Sequence, residues 1–415
     1  MRHQKGAEFT KEMRKSHVIL MPEMLGYHND LLKAAFAGAG YHLEIMSETG
    51  HLRDKSLPYM NGDYCLPAVM ILGQMLATVQ SGKWDTDRIA FMEPQTGGAC
   101  RAGNYYDSMI NCLQKAGYGQ IPVISLNAFG NEKHEGFSIT LPLLIRAIAA
   151  VCYGDLLMTL LQQVRPYERH PGATEKYYKS WIEILCEEIR DGSRISGMAR
   201  KKRYEEIISG FAAIPTNKLQ LKKVGITGEI YIKFSKIGND YLEDFLQSRN
   251  FDYRMGGFVN YAIFVVDSEK EHQMLLGTKK AVLKIFDFVL HYMKGLQNDI
   301  NTALNKAGFI ADESFENLIK LSEPIISKGC NTGDGWLIAG EVADLISKGY
   351  DHILILHPFG CLVSHVCERG ILKKLHEMYP EINIQTIEYD YDSSKSLRES
   401  RILLGLSDIG QRSEI

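Results

Sequence analysis

A strand, a glycine-rich turn and a helix in immediate succession leave a chain few ways to fold, and residues 89–116 have that form. The apolar run Ile89-Ala90-Phe91-Met92 reads as a short buried strand and Tyr105 to Ala116 as a helix, with Gln95-Thr96-Gly97-Gly98-Ala99-Cys100-Arg101-Ala102-Gly103-Asn104 as the turn between them. That turn presents Cys100. Glycines let the backbone approach a ligand closely, and the N–H groups of a helix N-terminus stabilise a thiolate or another anion placed against them. Two further segments repeat the arrangement. Asn61-Gly62-Asp63-Tyr64-Cys65-Leu66-Pro67 sets Cys65 ahead of a helical run, and His357-Pro358-Phe359-Gly360-Cys361-Leu362-Val363-Ser364-His365 presents Cys361 after the apolar strand Ile353 to Leu356.

The same alternation recurs along the chain. His17 to Met21 reads as a first strand, Leu25 to Ala39 as a helix closed by Gly38 and Gly40, and Tyr41 to Ile45 as a second strand. Asp63 to Gln80 holds the Cys65 turn and its helix, and Ile121 to Leu126 is another strand. Strands alternating with helices of this length predict a parallel sheet covered on both faces, with ligands at the carboxyl ends of its strands. From Thr140 to about Gly210 the pattern is helical throughout. It returns to α/β at Val224-Gly225-Ile226-Thr227-Gly228-Glu229, and further strands are expected at Ala262 to Val266, Ile353 to Leu356 and Ile382 to Ile387. The expectation is an α/β protein with two Rossmann-like parallel-sheet domains joined by a helical segment. Its parts are a mobile leader (1–16), a first α/β domain (17–150) with Cys65 and Cys100, a helical connector (151–215), a second α/β domain (216–405) with Cys361, and a tail (406–415).

At 415 residues and 45% hydrophobic content the chain can bury a large core. A net charge of -3 gives no electrostatic footprint for nucleic acid. The N-terminus lacks an apolar signal core, and no run is read as approaching the roughly 18 apolar residues of a membrane span, so a cytoplasmic protein without membrane contact is expected. Eight cysteines are too dilute for a disulfide scaffold and point to metal binding or catalysis. There is no G-x-x-x-x-G-K-[ST], and Gly38-Ala39-Gly40 lacks a third glycine, so the chain is not expected to bind ATP. Gly-x-Ser-x-Gly and His-Glu-x-x-His are missing too. Without a Cys-x-x-Cys, any metal must be held by ligands far apart in sequence, at a domain interface.

Cys112, Cys152 and Cys186 lie on apolar helical stretches and read as packing thiols. Cys330 and Cys367, in glycine-containing or polar surroundings, are weaker ligand candidates. Cys65, Cys100 and Cys361 read from their context either as presented thiolates or as thiols packed into turns. Arg101 and Asn104 are donors beside Cys100 and belong with the cofactor-binding candidates. The candidates for acid–base or catalytic roles are His357, His365, Gln95 and Glu229.

The three cysteine segments resemble the motifs of the 2-hydroxyacyl-CoA dehydratase and double-cubane cluster protein superfamily, and most closely the carboxy-terminal half of large acyl-CoA dehydratase activase-related proteins. The likeness runs from about Glu12 to Leu404 and takes in Ser125-Leu126-Asn127, Tyr153-Gly154-Asp155-Leu156-Leu157, Arg165-Pro166-Tyr167-Glu168 and Tyr389-Asp390-Tyr391-Asp392. Val363 stands where the family usually has proline, and the ATPase domains that normally precede this region are not in the sequence. The resemblance implies an iron–sulfur cluster on Cys65, Cys100 and Cys361 at the domain interface. This would be a [4Fe-4S] cubane, or a double-cubane [8Fe-9S] cluster if further thiolates such as Cys330 and Cys367 contribute. It also implies a separate activator ATPase of the actin-like fold with its own iron–sulfur cluster, a small-molecule or acyl-CoA substrate, and a homodimer or heterodimer. Two alternatives stand beside the reductase or dehydratase-like reading: a non-catalytic electron-relay subunit, and a structural zinc site of three thiolates with His357 or His365.

Overall fold

Among the described residues, eight strands form two four-stranded sheets, and every pairing within them is parallel. The computed structural model describes residues 6–60, 64–94, 100–126 and 133–407. The first sheet contains β1 (Val18–Met21), β2 (His42–Ile45), β3 (Ile89–Pro94) and β4 (Val123–Leu126) in the order β2-β1-β3-β4. The second contains β5 (Lys223–Gly228), β6 (Asp252–Met255), β7 (His352–Pro358) and β8 (Asn383–Tyr389) in the order β6-β5-β7-β8. The two orders are the same, so the chain carries one sheet topology twice. The central strands β3 and β7 read as nearly unbroken apolar runs because parallel strands are covered on both faces.

The helices that matter for the site follow in chain order. They are α1 (Asn29–Ala37), α2 (Leu66–Gln80), α3 (Tyr105–Lys115), α4 (Leu141–Val164), α5 (Ala173–Asp191), α6 (Gly197–Ala212), α7 (Ile230–Phe234), α8 (Phe258–Leu275), α9 (Lys280–Lys306), α10 (Leu337–Ser347) and α11 (Leu362–Cys367). Helices α4, α5 and α6 make the helical segment between the sheets. Thr140 caps α4 by accepting from Leu143 N, and Pro142 lies in its first turn, where its missing N–H costs nothing. This helix runs from Leu141 to Val164 in one piece. The sequence reading passed over its length: Leu141–Tyr167 is apolar enough to cross a membrane, but 67% of that window is buried inside the protein, as in a core helix.

Two expectations need correction. Ala262-Ile263-Phe264-Val265-Val266 lies inside helix α8, and the strand beside β5 is Asp252–Met255. Asp155 on α4 explains the difference, since its carboxylate accepts from Phe258 N (2.9 Å) and Val259 N (2.7 Å) and so satisfies the start of a helix whose residues alone favour a strand. The stretch read as a mobile leader is also anchored to the first half at Phe9. Phe9 is fully buried, its N–H meets His134 Nδ1 at 3.0 Å, and its carbonyl accepts from Gly136 N.

The carboxyl ends of the two sheets face each other. Just beyond β1, Glu23 accepts from Ser235 Oγ, which lies beyond β5 (2.6 Å), and Gly26 N donates to Phe234 O. Leu66 N, at the start of α2, donates to Phe359 O directly after β7 (2.9 Å). Tyr27 donates to Glu243 at 2.6 Å. The edges at which parallel sheets bind ligands are therefore pressed into one interface.

Candidate functional site

All three motif cysteines stand at this interface, and each caps the N-terminus of a helix. Cys361 is the N-cap of α11, with its sulfur accepting from Ser364 N at 3.4 Å. Cys100 caps a short 3-10 turn (Arg101–Asn104) that leads into α3, with its sulfur accepting from Ala102 N at 3.5 Å. Cys65 caps α2, with Pro67 in the first turn, and its sulfur meets the hydroxyl of Tyr105 at 3.0 Å. A helix-start N–H thus points at the Cys100 and Cys361 sulfurs, while the Cys65 sulfur meets the Tyr105 hydroxyl instead.

The two halves contribute unequally: Cys65 and Cys100 come from the first sheet's loops and Cys361 from the second's. The Cys361 loop lies directly on Cys65. Gly360 has φ +73, and a Cβ built there would stand 3.2 Å from Cys65 Cα and 3.2 Å from Tyr64 O. Tyr105 lies near both Cys65 and Cys100, and burial, then the charges of these two cysteines, raises its phenol. Burial pushes the Cys65 thiol up, opposed by the Tyr105 hydrogen bond and the positive charge of Arg101. Burial, with the Glu229 and Asp334 carboxylates nearby, pushes Cys361 up as well.

The second half supplies a buried acidic group around this point. Glu229 follows β5 and caps α7 by accepting from Ile232 N at 3.0 Å. Burial, opposed by those N–H bonds and reinforced by the charge of Glu368, raises its carboxyl to about 7. Asp334, which accepts from Ile230 N, is raised well above the usual carboxylate range by burial and then by the charges of Glu229, Glu368 and Glu341. Lys233 is the cation facing them and is held by Glu341 at 2.8 Å. On the first sheet, Glu93 near the end of β3 is 2% exposed, and its Oε2 has no hydrogen-bond partner. Burial raises its carboxyl too. Asp334 and Glu93 were missed in the sequence; a buried acid at the end of an apolar strand, as in Phe91-Met92-Glu93, was the available signal for the second.

The remaining candidates separate. His357 is fully buried, its Nδ1 is 3.1 Å from Glu368, and its ring packs 4.6 Å from that of His365. His365 is exposed and its Nδ1 bonds the Cys361 carbonyl at 2.6 Å. Asn104 turns toward Ser108, bonding through its side-chain amide at 3.4 Å and its carbonyl at 2.8 Å. Cys330 and Cys367 lie against each other at the far end of α11. Cys112, Cys152 and Cys186 are on helices α3, α4 and α5. Gln95 lies outside the described residues, as do Asn61 to Asp63 and Thr96 to Ala99.

Among the described residues, no three His, Cys, Asp or Glu side chains converge closely enough to hold one metal ion. A tetrahedral zinc needs its sulfurs about 2.3 Å from a single point. An iron–sulfur cluster gives each thiolate its own iron, so its ligands stand farther apart, and Cys65, Cys100 and Cys361 are the candidates that could hold one. Comparison with known proteins returns no matching family model, no matching curated protein and no matching solved structure.

Proposed function

We propose that this chain is an iron–sulfur protein that receives low-potential electrons from a partner ATPase and uses them for reductive or dehydratase-like chemistry on a small or acyl-thioester substrate. The observation that carries the reading is the meeting of Cys65, Cys100 and Cys361, each at a helix N-terminus, between the facing carboxyl edges of two like sheets. A cluster there would supply an electron and a Lewis-acidic iron. The chain's own residues would do the rest. Tyr105 orients the Cys65 sulfur, the backbone N–H groups of Ala102 and Ser364 bond the other two, and the two halves exclude water. Glu229, close to neutral in its proton affinity, holds or releases a proton beside the cysteines. The activator would dock where the two halves meet, and a two-fold dimer of this chain would match a symmetric activator.

The test is anaerobic purification followed by iron and sulfide quantification. Cys65→Ser, Cys100→Ser and Cys361→Ser should each lose most bound iron, whereas Cys152→Ser and Cys186→Ser should retain it. Unchanged iron in all three motif variants would end the ligand assignment. The isolated chain should show no heat of ATP binding, and its cluster should be reduced only when an activator ATPase and ATP are both present. Tight ATP binding by the chain alone would overturn the two-component reading, and turnover with activator separates an enzyme from an electron relay.

A further inference from the structure

Cys330 and Cys367 are 37 residues apart in sequence, yet the fold seats them together. The loop carrying Cys330 is fixed from several directions. Lys328 bridges Asp267 (2.9 Å) and Glu271 (2.6 Å) on α8, and Asn331 Nδ2 donates to Glu271 at 3.0 Å. Cys330 N donates to Ser327 O, and Cys330 O accepts from Trp336 N at 2.8 Å. The next part of this loop packs on α11: a Cβ at Gly333 would stand 2.8 Å from Val363. Val363 and Cys367 are four residues apart and both buried, so they share the face of α11 turned to the loop. The two thiols are neighbours there.

We propose that Cys330 and Cys367 form a redox-active dithiol that closes to a disulfide at the base of the Cys361 helix. Cys330 is half-buried and Cys367 only 5% exposed. Cys330 is therefore the sulfur that meets an external oxidant, and Cys367 is the one that resolves. With oxidised glutathione, the Cys330 thiolate attacks one glutathione sulfur and expels the other as thiolate, leaving a mixed disulfide. The Cys367 thiolate then attacks Cys330 and expels the second glutathione. Two protein thiols lose two protons and two electrons, and one oxidised glutathione becomes two reduced ones. The pinned loop keeps the two sulfurs together, which favours closure over a lasting mixed disulfide. The bond would tie the Asp334 loop to the helix that presents Cys361. The proposal stands apart from the cluster assignment, because it concerns different sulfurs and is read by mass.

The full chain is incubated anaerobically with oxidised glutathione, alkylated and digested. The expected product is a single cross-linked peptide pair joining Cys330 to Cys367, lost on reduction. Cys367→Ser should instead accumulate a glutathione adduct on Cys330, while Cys330→Ser should show no adduct on Cys367. Circular dichroism of both variants establishes that they are folded. Full alkylation of both thiols in the oxidised wild type would overturn the proposal, as would failure of folded Cys367→Ser to trap glutathione. So would protection of both thiols by bound iron, which would assign them to the cluster.

Discussion

The pair formed by His357 and Glu368 shows how burial, more than any neighbouring charge, sets the charge of a site. Burial, the Arg369 charge and His365 lower the imidazole to about 3, while burial raises the Glu368 carboxyl to about 8. Near neutral pH both are therefore uncharged, and the carboxyl is placed to donate to Nδ1. The two groups act on stability in opposite directions. For His357 the folded value is depressed, so its contribution is present above about 6.5 and is lost as pH falls toward about 3. For Glu368 the folded value is raised, so its contribution is present below about 4.5 and is lost as pH rises through about 8. Glu368→Gln keeps a neutral donor and removes the alkaline loss. Urea denaturation should show the wild type losing on the order of 1 kcal/mol or more against this variant between about pH 6 and about pH 9. Parallel pH profiles for the two proteins would contradict a neutral pair.

At the scale of single elements, the sequence revealed those whose ends are written locally and missed those fixed from a distance. Helices α2 and α11 were legible because Cys65-Leu66-Pro67 and Gly360-Cys361 carry their own turn chemistry. Helix α8 was not, because its start is completed by Asp155, about a hundred residues away. The same carboxylate meets His28 Nε2 at 2.8 Å, so it ties the connector to a helix of each half. Gly154 beside it is forced to be small, as a Cβ would stand 2.1 Å from the His28 ring. Asp155→Ala would strand a buried imidazole and two helix N–H groups, and should cost about 3 kcal/mol in a denaturant titration. A loss under about 1 kcal/mol would mean that water replaces the carboxylate at no great cost.

For the whole molecule, the strand and helix alternation identified two parallel sheets with a helical segment between them, and the glycine-presented cysteines marked three of the loops at the interface. The meeting of those loops was expected from the family resemblance alone, because period and propensity carry no information on how two sheets face each other. Glu229 was among the candidates, but its grouping with Asp334 and Glu368 was not legible, since it assembles only when the loop after β5 and the end of α11 close on the segment before α10. Gly360 is where this geometry depends on one residue. Its φ of +73 strains any L side chain, by about 1–2 kcal/mol, and branching adds to the strain. Its missing Cβ also lets the Cys361 loop rest on Cys65 and on the carbonyl of Tyr64. Gly360→Val should therefore part the two halves at the cysteines while removing none of the sulfurs. The expected result is a folded chain by circular dichroism that has lost most of its iron and sulfide after anaerobic purification. Wild-type iron content in folded Gly360→Val would show that the contact between the Cys65 and Cys361 loops is dispensable for holding the cluster.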